Sequence, residues 1–268
     1  MRLMETMALF VVAATGISRR RFFAAHATQY TIDCPPTDYD HLTKIVTKHL
    51  NHLDTYLASR PLAKHTVAAY EALVAQVPNL ATQGIVLDSG CGTGKSSLRL
   101  GKMHPDRLVV GVDRSVARLS KSTANADAQQ VEFVADNVVL VRADLVDLWQ
   151  CPLTVHEHYL LYPNPYPKKS RLQSRWYAHP AWPLALQNMG QRLVVRSNWK
   201  QFLVECASTT KIMQEVLREQ PGLVPGLDSE KWKWEEPQLR LPADPWTNFE
   251  AKYDLVGEET FEWTLEKR

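Results

Sequence analysis

Leu87-Asp88-Ser89-Gly90-Cys91-Gly92-Thr93-Gly94 is the stretch on which the fold turns. It follows an apolar run that begins at Gly84 and precedes a helical pattern from Ser96 to Met103. A short apolar strand, a glycine-rich turn and a helix form the opening of a βαβ unit. Glycine at alternate positions lets the backbone turn sharply and approach a ligand closely. The helix start that follows can hold a negative group.

Strands and helices alternate outward from this turn. Apolar runs at Leu108–Val112, Asn137–Arg142, His156–Tyr162 and Arg192–Arg196 read as strands. Ser115 to about Ala124, Asp144–Trp149 and Gln201–Glu219 read as helices between and after them. Phe261–Leu265 alternates with period two and reads as a terminal strand. The rhythm predicts an α/β fold with a mostly parallel central sheet and helices on both faces. Ahead of it, residues 34–80 are expected to form N-terminal helices packing on a core domain of residues 81–268. One is centred on Leu42, Ile45, Val46, Leu50 and Leu53, and another follows Pro61. In such sheets ligands sit beyond the carboxyl ends of the strands, so the chemistry is expected there.

Three ligand readings of the glycine turn compete. A nicotinamide-type loop needs G-x-G-x-x-G, whereas the spacing here is G-x-G-x-G. A P-loop needs G-x-x-x-x-G-K-[ST]; Gly94-Lys95-Ser96 supplies its end, but Ser89 stands at its first glycine. A methyltransferase cofactor loop fits the register unshifted. A carboxylate at the next strand end, Asp113, lies 25 positions after Asp88 and can accept from both hydroxyls of a ribose.

Composition sets outer bounds. The 268 residues are 45% hydrophobic and 22% charged, ordinary for a globular chain. No apolar run approaches the roughly 20 residues that span a bilayer. Cys34, Cys91, Cys151 and Cys206 form no C-x-x-C pair and no zinc spacing with histidine, so reduced thiols and no metal are expected. The formal charge is +2, yet residues 1–30 carry Arg2, Arg19, Arg20 and Arg21 against Glu5, and the remaining 27 basic and 28 acidic residues leave the body near neutral. Nucleic-acid binding must therefore come from a local patch. Residues 1–33 read as a leader. Residues 1–30, with their arginines, small residues and single acid, fit a mitochondrial or plastid transit peptide; if they are not one, the protein is expected in the cytoplasm.

A second strand-end motif follows His156–Tyr162. In Tyr162-Pro163-Asn164-Pro165-Tyr166-Pro167-Lys168-Lys169, three prolines stiffen the backbone around an amide that can donate and accept. Lys168, Lys169, Arg171 and Arg175 lie next to Trp176 and Tyr177. Cations interleaved with aromatics suit an RNA backbone and its bases, with a solvated loop as the alternative.

Taken together, the motifs resemble those of the bacterial-type tRNA (guanine-N7-)-methyltransferases. Leu87–Gly94 looks like that family's first cofactor motif, and Gly111-Val112-Asp113-Arg114-Ser115 resembles its ribose-binding strand end. Tyr162–Lys169 is similar to its Pro-Asp-Pro-Trp-x-Lys loop, and Thr247-Asn248-Phe249-Glu250 resembles its Thr-x-Phe-Glu. The resemblance implies a Rossmann-like class I methyltransferase fold, S-adenosyl-L-methionine as cofactor and tRNA as partner. Carried over by motif, Asp88, Gly90, Cys91, Gly92, Gly94, Asp113, Arg114, Asp144 and Asn164 face the cofactor. Lys168, Asn198, Thr247 and Glu250 face the substrate, with Asn164 and Asn198 at the chemistry.

Two positions depart from the family pattern. Asn164 stands where the proline loop usually has Asp, and Asn198 in Arg196-Ser197-Asn198-Trp199 replaces the Asp of a Thr-Asp-Trp block. An amide oxygen accepts more weakly than a carboxylate. The acceptor is thereby left open between guanine N7 in tRNA, an exocyclic amine of a base, and a small molecule or protein. A catalytically silent cofactor-binding subunit is the remaining alternative.

Overall fold

The computed structural model describes residues 35–122, 131–241 and 244–267. The expected leader, residues 1–33, and Cys34 lie outside the described residues.

Five parallel strands form the centre: β1 (Ile85–Ser89), β2 (Val109–Asp113), β4 (Val138–Arg142), β5 (Val155–Leu161) and β6 (Arg192–Ser197). Antiparallel strands complete the edges: β3 (Val131–Ala135), β7 (Trp232–Trp234), β8 (Gln238–Leu239) and β9 (Phe261–Lys267). The order is β3-β4-β2-β1-β5-β6-β9-β7, with β8 also on β9. All five residues of β1 and of β2 are buried, which is why they read as unbroken apolar runs.

Alternate residues of these strands feed two cores. Ile85, Leu87, Val110, Val112, Val139, Val141, Leu193 and Val195 pack on one face. There they meet α1 (Tyr39–Asn51), α3 (Lys64–Gln76), α7 (Trp182–Gln187) and the 20-residue α8 (Lys200–Glu219). Leu42, Ile45, Val46 and Leu50 form the apolar stripe by which α1 joins that core. The opposite face is thinner. Val86, Val109, Val138, Tyr159 and Val194 lie under Leu100 of α4 (Lys95–Met103) and under Trp246.

Several elements differ from the sequence reading. The first expected helix breaks at His52 into α1 and a short α2 (Leu53–Ala58). Strand β3 was not expected. Asp136-Asn137 turns it into β4, so Asn137 belongs to the turn, where its Nδ2 donates to the carbonyls of Gly101, His104 and Arg107. Also unexpected are α7, β7, β8 and α9 (Asn248–Val256). The remaining short helices, α5 (Val116–Leu119) and α6 (Leu145–Leu148), follow β2 and β4. Strand order reverses at β1, flanked by β2 on one side and β5 on the other, and a cleft opens there at the carboxyl ends.

Candidate active site

The cleft encloses about 720 Å³ between the ends of β1, β2 and β4 on one side and those of β5 and β6 on the other. On the first side a glycine loop sets backbone among charged side chains. Gly90 and Gly92 hold φ of +78° and +61°, and a Cβ built on either meets no atom within 4 Å, so the loop borders open space. The turn is pinned from beneath, since the N–H groups of Gly90 and Cys91 donate to the Val112 carbonyl at 2.8 and 3.0 Å. Gly94 caps α4 at φ +76° and Cys91 is buried under the loop.

Asp113 is buried and holds this wall in shape. Its Oδ2 accepts from the Gly92 N–H (3.1 Å) and pairs with Arg118 (3.2 Å), while Oδ1 accepts from the Ser115 N–H (2.8 Å). It lines the cleft together with Gly90 and Arg114. Asp144 caps α6 by accepting from the Val146 N–H and lines the cleft beside Arg60, whose Nη2 donates to it at 2.8 Å. Asp88 departs from expectation. It lies behind the loop, off the cleft, with Oδ2 accepting from the hydroxyls of Ser96 and Ser97 at 2.7 Å each. Burial pushes its carboxyl up to about 6, and its two serine donors only partly offset that.

Beneath the floor, Ser89 Oγ accepts from Trp149 Nε1 (3.2 Å) and lies 2.7 Å from His158 Nε2, while His158 Nδ1 faces the Ala185 carbonyl at 3.2 Å. Burial lowers the His158 pKa to about 4, so the ring is neutral. Its Nδ1–H then donates to Ala185 and Nε2 accepts from Ser89, tying β1 to β5 and α7.

On the second side the wall is made of side chains. Tyr162 and Tyr166 hold positive φ, +54° and +42°, conformations that cost non-glycine residues energy and persist only where surroundings enforce them. Tyr162 is held by its N–H to the Arg196 carbonyl (2.9 Å) and by Arg240 at its hydroxyl (3.3 Å). Asn164 is exposed at the cleft, and its Oδ1 accepts from the Tyr166 N–H at 3.1 Å. Asn198 lines the cleft just past β6. Lys168, Lys169 and Arg171 are exposed beyond the loop, with Arg171 over the Tyr166 ring at 5.9 Å.

Arg175 is a correction: it is 1% exposed and is no RNA contact. It pairs with Glu205 (3.6 Å), donates to the Tyr166 and Pro167 carbonyls and stacks on Trp199 at 4.8 Å, bracing the proline loop from behind.

Glu250 and Thr247 are corrections too, because neither lines the cleft. Glu250 is fully buried, paired with Arg196 (3.0 Å) and Arg240 (3.6 Å), and also accepts from the Trp246 N–H. Thr247 caps α9, accepting from the Glu250 N–H at 3.0 Å. Thr-x-x-Glu is a helix-start pattern, a signal the motif reading passed over. Phe249, which precedes Glu250, does line the cleft, with Tyr253 one turn on. Trp176, the aromatic beside the basic run, lines it as well, as do Arg60 and His179, which were not expected. Burial and then the neighbouring His49 and Arg60 charges lower the His179 pKa to about 4. Among the described residues, the carboxylates lining the cleft are Asp113 and Asp144, both on the first side; those of the second side are neutral amide and ring.

Residues 82–263 match the model of a family described as "Putative methyltransferase". The chain is 30% identical over 93 residues to the tRNA (guanine-N(7)-)-methyltransferase of Christiangramia forsetii, a stretch covering 34% of this chain and 40% of that one. It is 31% identical over 98 residues to the tRNA (guanine-N(7)-)-methyltransferase of Bacteroides fragilis, covering 35% and 37%. The chain thus matches about two fifths of the length of these relatives. Among solved structures, a variant of the 16S rRNA (adenine(1408)-N(1))-methyltransferase from Catenulisporales acidiphilia with cosubstrate SAM is similar at a TM-score of 0.44 and 17% identity, covering 72% of this chain and 90% of that one.

Proposed function

We propose, from the premise that this chain belongs to the methyltransferase family matched over residues 82–263, that it transfers a methyl group from S-adenosylmethionine to guanine N7 in tRNA. One observation carries the reading. The cleft joins a glycine loop backed by Asp113 to a facing wall that, among the described residues, holds no carboxylate.

The open space before Gly90 and Gly92 fits the methionine portion of the donor, where any side chain would intrude. Asp113 retains lone-pair capacity for a ribose, with Arg114 beside it, and Asp144, which also lines the cleft, is the residue assigned to the adenine end. S-adenosylmethionine supplies an electrophilic methyl group on a sulfonium. Guanine N7 has an exposed lone pair and no proton to lose. It attacks as the S–C bond breaks, and that bond's electron pair stays on sulfur. No general base is needed, which suits the neutral wall of Asn164 and Asn198. Their amide oxygens accept from the guanine edge. Most of the acceleration comes from holding the two reactants in line. Lys168, Lys169 and Arg171 meet RNA phosphates at the rim.

Asp113→Ala tests the donor side. Calorimetry is expected to show S-adenosylmethionine affinity falling at least about tenfold, roughly 1.4 kcal/mol, in a variant that remains folded. Unchanged affinity refutes the ribose assignment.

A further inference from the structure

Phe249 is a large apolar side chain left 52% exposed at the mouth of the cleft. It does not stand alone. Its ring lies 6.4 Å from that of Tyr162, with 21° between the planes, and 6.4 Å from that of Tyr253, at 28°. Tyr162 and Tyr253 are 5.8 Å apart. All three rings line the same cleft. We propose that Phe249, Tyr162 and Tyr253 form a stacking shelf that receives the acceptor as a single unpaired nucleobase. The inference rests on the reading of the site as a nucleobase methyltransferase and specifies how that base is held.

The shelf is rigid for identifiable reasons. Tyr162 is fixed at a positive φ by its neighbours and by Arg240. The first turn of α9 is locked by the Thr247 cap and by Glu250 between Arg196 and Arg240. Phe249 thus sits on a capped and ion-paired helix turn, exposed where the neighbouring Glu250 is buried. A preorganised aromatic face binds a base with little ordering cost. The exposed cations Lys168, Lys169 and Arg171 on the neighbouring loop supply charge for the phosphates flanking that base. A base still paired in a duplex presents only its edge, so the shelf selects an unstacked one. Asn164 and Asn198 then meet its polar edge from the same wall.

The test is a single-stranded RNA pentamer with 2-aminopurine at its centre, mixed with the full chain. The wild type is expected to quench the probe. Phe249→Ala and Phe249→Leu are expected to lose the quench and weaken binding about 10- to 100-fold, while Phe249→Trp retains both. S-adenosylmethionine affinity of all three stays within about twofold of wild type. An unquenched probe with wild type, equal quenching by Phe249→Ala, or Leu performing as well as Trp overturns the shelf. Methylation of tRNA is read separately with the same proteins. Quenching without methylation leaves the shelf standing and sinks the proposed reaction. Methylation with unchanged kcat/KM in Phe249→Ala does the reverse.

Discussion

The two walls of the cleft are built from different material. The donor wall is centred on backbone: Gly90 and Gly92 turn toward open space, with Asp113 and the Val112 carbonyl holding them from behind and charged side chains such as Arg114 and Asp144 to either side. The acceptor wall is side chain, formed by Tyr162, Asn164, Asn198, Phe249 and Tyr253 on elements locked by buried ion pairs. A backbone wall depends on which residues tolerate positive φ, a local property. A side-chain wall depends on which charges are turned inward to pair, a property of distant partners.

The sharpest break between the walls is expected at Glu250. If it is a strut of the acceptor wall, Glu250→Ala leaves the half-buried Arg240 without its carboxylate and the buried Arg196 with Glu262 alone, and lowers stability by about 3 kcal/mol, seen as a large fall in Tm. A carboxylate serving the substrate instead gives an unchanged Tm and a raised KM.

That contrast also sorts what could be read from the chain. The glycine register, the strand ending at Asp113 and the proline loop all lie where expected, because each follows from conformational limits of the residues themselves. Arg175 does not. It sits in a run of cations, and only Glu205 and Trp199, far away in sequence, decide that it points inward while Lys168 and Lys169 point out. Glu250 faces Arg196 across 54 positions, so its motif looked like a substrate contact when it was a helix start and an anchor. Strand β3 was missed because its alternation is short and only Val131 among its five residues is buried. Arg60 reaches the cleft from the segment between α2 and α3, which no motif marks.

Within the donor wall, Asp88 offers a smaller effect with a definite sign. Its folded-state pKa, about 6, is raised above the roughly 3.9 of an unfolded chain. The stability tied to its protonated form is full below about 4 and is lost as pH rises through about 6. Asp88→Asn, which keeps an acceptor for Ser96 and Ser97, is therefore expected to match wild-type Tm near pH 4 and to exceed it by a few degrees above pH 7. A gap that is flat with pH contradicts the burial of that charge.

The smallest effect belongs to the rim. Lys168→Ala is expected to weaken tRNA binding uniformly across sequences and to reduce the slope of log K against log salt by about 1. An unchanged slope removes Lys168 from the RNA interface.

Donor and acceptor must meet across this cleft for transfer to occur. The most direct measurement incubates the purified chain with methyl-labelled S-adenosylmethionine and total tRNA, then resolves the labelled nucleosides by mass spectrometry. Label in 7-methylguanosine is the expected result. Label in any other nucleoside, or none in RNA while the donor binds, contradicts it.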